Sequence, residues 1–156
     1  MKKINFLINL KKKKKLRLVE PSEEIKKSYI SKSESNLISV KILLENDKLE
    51  EAIALTYYSM YHMLTALLFK IGIKCENHSA SIILLEEIFD LNNLDILNAK
   101  KERIDKQYYT DFHIKKQEVI EAMKNAEEFN NKIFDFISRL NNKDIKKYRN
   151  NFKELI

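Results

Sequence analysis

The stretch LEEAIALTYYSMYHMLTALLFKIG, residues 49–72, decides the fold. Ile53, Tyr57, Met60, Leu64, Leu67 and Ile71 recur at spacings of three and four, and Tyr58, Tyr61 and Leu68 add a second, adjacent stripe. A helix apolar over so wide an arc must be the central, most buried element of a helical protein. Gly72, the single glycine, is placed to close that helix in a left-handed conformation. Asp47-Lys48-Leu49-Glu50 reads as the capping box that opens it.

Composition agrees with that start. With one glycine and one proline in 156 residues, the chain cannot supply the turn residues of a β-sandwich or barrel, nor the glycines of a Rossmann or P-loop phosphate site. The length fits a single domain, and one cysteine, Cys75, makes no internal disulfide. The net charge of +6 is unevenly placed. Residues 1–17 hold eight of the 29 cations and no acid, so the rest of the chain sets 21 cations against 23 acids. A broad basic body for nucleic acid is therefore not expected. No run reads as a membrane span, the N-terminus lacks a signal-peptide cleavage site, and a cytoplasmic protein is expected.

Outward from the central helix, residues 1–20 form their own basic section. Ile4, Phe6, Ile8 and Leu10 alternate, as do Leu16 and Leu18, around Lys11 to Lys15. The expectation is a basic N-terminal arm or two-stranded ribbon, followed by a helical bundle over residues 21–156. Pro21-Ser22-Glu23-Glu24 starts a helix reaching Asn46, with Ile25, Tyr29, Leu37, Val40 and Leu44 as its stripe. After a loop at Ile73 to His78, a shorter helix carries Ile82, Ile83, Leu85 and Ile88, and another runs from Leu94 through Arg103 to Tyr109. A long helix from Ile114 carries Val119, Met123, Ala126, Ile133, Ile137 and Leu140, with Asn130 in its seam, and a last one spans Asp144 to Ile156. Short connections between long helices imply an all-α, up-and-down bundle of four to five main helices.

Four features invite chemistry. Cys75 and His78 have two residues between them, but no second pair follows, and neither His62 nor His113 has a partner at helical spacing, so no metal is expected. Tyr58 and His62 are four apart in the buried helix, where a packed aromatic seam is the favoured reading over a ligand site. The lysine run reads equally as a phosphate-binding arm and as a solvated tail. The segment Lys100 to His113 joins Arg103, Lys106, Gln107, Tyr108, Tyr109 and His113. There an arginine could neutralise a phosphate while a histidine moves protons to or from a 2′-OH. An exposed helix end is the plainer reading of the same residues.

At this point the chain resembles the prokaryotic HEPN domain. The resemblance rests on Leu49-Glu50-Glu51-Ala52-Ile53, Tyr57-Tyr58-Ser59-Met60-Tyr61-His62, Ala66-Leu67-Leu68, Gly72, Asn77-His78-Ser79, the Arg103 to Tyr108 block and a late helix with Ala126 and Phe129. It covers about Leu16 to Leu140. The resemblance implies a helical bundle that homodimerises and is often encoded beside a minimal nucleotidyltransferase, as the toxin of a toxin–antitoxin module. Such a toxin is an RNase, needs no cofactor, and is silenced by its partner, in some systems by addition of nucleotides to a tyrosine. Arg103 matches the family's arginine and would hold phosphate. The position after it is Ile104 instead of a polar residue, and where the family histidine would stand this chain has Tyr108, Tyr109 and Thr110.

His113 follows only after nine intervening residues and is the proton-transfer candidate if RNA is cleaved. The block Arg103-Ile-Asp-Lys-Gln-Tyr108 also looks like a variant of the Arg-xxx-Asp-Tyr pattern of several subfamilies, with Gln107 at the acid position. The resemblance thus implies RNA or nucleotide binding through Arg103, Lys106, Gln107, Tyr108 and Tyr109. Tyr108 and Tyr109 are candidates for modification by the partner, and Tyr58, His62 and His78 are structural or pocket residues. The competing expectation is a non-catalytic interaction or nucleotide-binding module that acts through a partner protein. On a helix Arg103 and Gln107 share a face while Tyr108 projects about 140° away.

Overall fold

The computed structural model describes residues 1–108 and 113–156, with Gln107 described by its backbone alone. Among these residues seven helices and one two-stranded ribbon follow in the order α1 (Lys2–Lys12), β1 (Leu16–Leu18), α2 (Glu23–Glu45), α3 (Leu49–Ile71), β2 (Ile73–Cys75), α4 (His78–Phe89), α5 (Leu94–Tyr108), α6 (Lys116–Arg139) and α7 (Asn142–Leu155). The architecture is an all-α helical bundle.

Helix α3 is its axis. Thirteen of its residues are buried, and it packs against α2, α5 and α6 and also touches α4 and α7. By length and composition this helix could cross a membrane, which corrects the reading that no stretch is apolar enough. Two-thirds of the apolar window (67%) lies buried inside the bundle, as befits a core helix. The main core gathers Tyr57, Met60, Leu64, Leu67 and Ile71 with Ala80, Leu84, Leu85, Ile133, Ile137 and Phe152. A smaller cluster at the start of α3 joins Ile53 and Ala52 to Val40 of α2 and Val119 of α6.

Two expectations are corrected here. Residues 2–12 form a helix, not an arm or strand: Leu7 and Leu10 are buried in the main core and Phe6 packs against it. Each fully buried leucine stabilises by ~1.5–3 kcal/mol, so this segment is held to the bundle. The ribbon exists, but it pairs β1 with β2, Leu16 opposite Cys75 and Leu18 opposite Ile73, antiparallel. The capping box at Asp47 does not form either. Asp47 takes φ 55° and closes α2, its N–H donating to Leu44 O at 3.2 Å, while Lys48 N–H reaches Leu43 O at 2.9 Å. A residue bent into the left-handed region to end one helix cannot also cap the next.

The other helix ends follow local chemistry. Ser22 Oγ accepts from Ile25 N–H at 3.1 Å, and Asn141 and Asp144 cap α7 reciprocally. The loop expected up to His78 ends one residue earlier, because Asn77 caps α4 by accepting from Ala80 N–H at 2.9 Å, which puts His78 in the first turn. Gly72 closes α3 at φ 86°. A Cβ there would also fall on the guanidinium of Arg149 and the carbonyl of Val19. Arg149, on α7, donates to the carbonyls of Val19 (2.8 Å), Ile71 (2.9 Å) and Gly72 (3.1 Å), tying three segments into one junction.

Candidate functional site

Three elements meet around Arg103. Helix α3 carries Tyr57, Tyr58, Tyr61 and His62 on successive turns; the first turn of α4 brings His78 and Ser79; and α5 brings Lys100 and Arg103, one helical turn apart. The buried stripe of α3 fixes the tyrosine positions, and the Asn77 cap fixes His78.

The contacts are dense. Tyr57 Oη and His78 Nδ1 lie 2.9 Å apart. The His78 ring stacks on Tyr61 with centroids 3.8 Å apart and meets Tyr58 edge-on at 6.1 Å. Arg103 donates to Tyr58 Oη at 3.2 Å, and its guanidinium lies 5.1 Å and 5.4 Å from the ring centres of Tyr57 and Tyr58, a cation held against two aromatic faces. Lys100 Nζ donates to Ser79 Oγ.

Burial sets the charge states. It pushes the Tyr57 phenol well above its ordinary pKa, only partly offset by Arg103, and it raises Tyr61 as well. It also lowers His78, assisted by Arg103 and Lys100. The Tyr57–His78 contact is therefore a hydrogen bond between a neutral phenol and a neutral imidazole. Burial and the neighbouring Arg103 likewise lower Lys100. Two cations on one helix thus crowd a half-buried space.

What Arg103 lacks decides its role. Among the described residues no carboxylate pairs with it, and its buried Nε has no hydrogen-bond partner. Half-buried guanidinium groups ordinarily sit on carboxylates or phosphates. This one is held by π-faces and a hydroxyl, beside a lysine and the N-terminal turn of a helix, both of which favour an anion.

Of the residues expected from sequence, Arg103, Tyr58 and His78 come together here. Tyr58 and His62 lie with ring centroids 6.3 Å apart. His62 itself is turned toward α2, where its Nδ1–H donates to Asn36 Oδ1 at 2.7 Å. Burial, with Lys32 and His78 adding, pushes its pKa down to about 4. Lys106 lies 3.5 Å from Glu118 of α6 and is not in this cluster. Tyr108 stands 66% exposed at the end of α5, away from Arg103. Tyr109 and the side chain of Gln107 lie outside the described residues. His113 is exposed and makes no hydrogen bond, ion pair or ring contact among the described residues. Tyr57, Tyr61, Ser79 and Lys100 are members that sequence reasoning did not assign to the site. Lys100, three residues before Arg103, was recognisable by that spacing alone.

The groove on the other side of α5, toward α6, is lined by Glu102, Asp105, Glu118 and Glu121 together with Lys101 and Lys106, so its acids outnumber its cations. Among the described residues no group of three or more histidine, cysteine or acidic side chains is placed to hold a metal ion.

The class is a helical bundle whose central helix carries the aromatic half of this cluster and whose α5 carries the cations. The family model described as HEPN domain matches residues 26–140, and the chain belongs to that family. It is also similar to UPF0332 protein PH1297 of Pyrococcus horikoshii, 45% identical over 60 residues. That match covers 38% of this chain and 42% of the relative, so the alignment spans about two-fifths of the relative's length.

Proposed function

We propose that this HEPN protein binds RNA or a nucleotide at the Arg103 cluster, as the toxin-type component of a module whose other member is a minimal nucleotidyltransferase, and that it works as a homodimer. The observation that carries the binding reading is the half-buried Arg103 guanidinium without a carboxylate partner among the described residues, set beside Lys100 and His78. A phosphate would supply the negative charge that both cations lack. The exposed Tyr108 phenol is open to a modifying partner, as the family resemblance implies.

Cleavage of RNA is the second reading, favoured by the neutral His78. In the tautomer whose Nδ1–H is donated to Tyr57 Oη, its Nε2 would take a proton from a 2′-OH while Arg103 holds the phosphate. His113 remains the proton-transfer candidate from the sequence. Both readings are tested by binding and cleavage measurements on folded wild-type, Arg103→Ala, His78→Ala and His113→Ala proteins. Binding lost only with Arg103→Ala, without cleavage, supports the binding module. Cleavage lost with Arg103→Ala and one histidine change supports the nuclease and names its base. Binding and cleavage that both survive Arg103→Ala refute the site. Co-purification with a minimal nucleotidyltransferase from the same source tests the partner.

A further inference from the structure

The lysine run is an ordered turn joined through the ribbon to the segment that starts α4. Helix α1 ends in a double hydrogen-bonded turn, Lys15 N–H to Leu10 O at 2.9 Å and Lys14 N–H to Lys11 O at 2.9 Å, with Lys14 at φ 59°. Glycine is the usual residue at such a position. The two other non-glycine residues at positive φ among the described residues are aspartates, a type that tolerates it, so a lysine here sits against local preference. Arg17 clamps the turn by donating to Lys14 O at 2.6 Å.

The ribbon then carries the run to the site. Glu76 N–H donates to Lys15 O at 2.9 Å, Asn77 caps α4, and His78 follows. One strand spacing and two residues separate Lys15 from His78, which is about 11 Å along the backbone. The Lys3–Glu86 pair at 3.2 Å sets α1 alongside α4 with opposite direction, so the basic end of α1 lies at the N-terminal end of α4. Lys100 and Arg103 approach that same helix start from α5. Cations therefore flank it on both sides.

The run is also unneutralised. Lys12, Lys13, Lys14 and Lys15 are exposed, and none is ion-paired among the described residues. Glu76 faces Arg17 and Lys74 instead, at 3.8 Å and 3.6 Å. Four like charges held on one turn repel one another, and a string of phosphates relieves that repulsion.

We propose that Lys12–Lys15 is the backbone track of a single-stranded polynucleotide, one nucleotide of which occupies the Arg103 site. The proposal rests on the Arg103 reading and adds that the ligand is a polymer, with flanking phosphates on the α1 turn. A single strand fits better than a duplex because a nucleotide must leave its stack to enter a half-buried site.

The test is fluorescence anisotropy with labelled single-stranded RNA of about ten nucleotides, DNA of the same sequence, and a mononucleotide, each at several salt concentrations. The proteins are wild type, Arg103→Ala, and a variant with Lys12, Lys13, Lys14 and Lys15 all changed to glutamine. A pairwise Lys12→Gln/Lys13→Gln variant, together with circular dichroism, controls for folding. The expected result is that the fourfold change weakens oligonucleotide binding at least tenfold and reduces the salt slope by about 2–3. Mononucleotide binding stays unchanged, and the pairwise variant falls between. RNA or DNA behaving so supports the proposal and identifies the polymer. Oligonucleotide binding with an unchanged salt slope in the lysine variants overturns the track and leaves the Arg103 site standing. Wild type that binds neither mononucleotide nor oligonucleotide overturns the site, and the track with it.

Discussion

Arg103 and Arg149 both lie half-buried against helix α3, one beside its middle and one at its C-terminal end, yet their surroundings differ. Arg149 faces three carbonyl oxygens at 2.8–3.1 Å and joins α7 to the close of α3 and the chain after β1. Its charge sits where the α3 dipole is negative. Arg103 has one phenol oxygen at 3.2 Å, two ring faces and a buried Nε with no partner, near another cation and the positive end of α4. The first arginine completes the fold. The second is held in a place that the fold alone does not reward, and the proposal that it binds an anion rests on that difference.

Substitution should separate the two. Arg149→Ala takes the guanidinium donor from the carbonyls of Val19 and Ile71, while Gly72 O keeps Val19 N–H at 2.8 Å, and is expected to cost about 2–4 kcal/mol, lowering the midpoint of thermal unfolding by roughly 6–12 °C. Gly72→Ala should do comparable damage, since the new methyl meets the Arg149 guanidinium and Val19 O in a left-handed backbone. Nucleotide binding per folded molecule should survive both. Arg103→Ala should instead change stability by less than about 1 kcal/mol and weaken binding at least tenfold, read by calorimetry.

A smaller effect sharpens the contrast around α3. The His62 pKa is pushed from 6.5 to about 4 in the fold. Between these values the unfolded chain binds a proton that the native protein does not, so stability falls as pH is lowered through that window and levels off below it. His62 is only half-buried, so the loss should be about 1–2 kcal/mol, and it should vanish in His62→Gln on denaturant unfolding at pH 7 and pH 4.5. The smallest effect belongs to Glu23, held down to about 2 first by its hydrogen bonds to Lys26 and Lys70. Its contribution is present above pH 4.5 and is lost as pH falls toward 2. The carboxylate is largely exposed, so Glu23→Gln should shift the unfolding midpoint by less than about 2 °C, and by nothing at high salt.

Much of this was legible in the sequence. The double stripe of residues 49–72 made α3 the core helix, and the glycine at 72 marked its end. Residues 1–12 misled because Ile4, Phe6, Ile8 and Leu10 fit a period of two while Ile4, Leu7 and Leu10 fit a helical one, and over so short a run the two periods compete. The β1–β2 pairing joins segments more than fifty residues apart, and three-residue strands carry too little pattern to name a partner. At the site, Arg103 was legible through its resemblance to the family motif. That Tyr57 and Tyr58 would cradle it, and that His78 would stand at the cluster, depended on how α4 and α5 pack on α3, which no local spacing encodes.

The most direct test of the division between the two arginines is calorimetric titration of Arg103→Ala and Arg149→Ala with a single-stranded RNA of about ten nucleotides, at a temperature where both are folded. Binding lost in the first and retained in the second is the expected result. Binding retained by Arg103→Ala would contradict it, and Arg103 would then be a packing residue like its counterpart on α7.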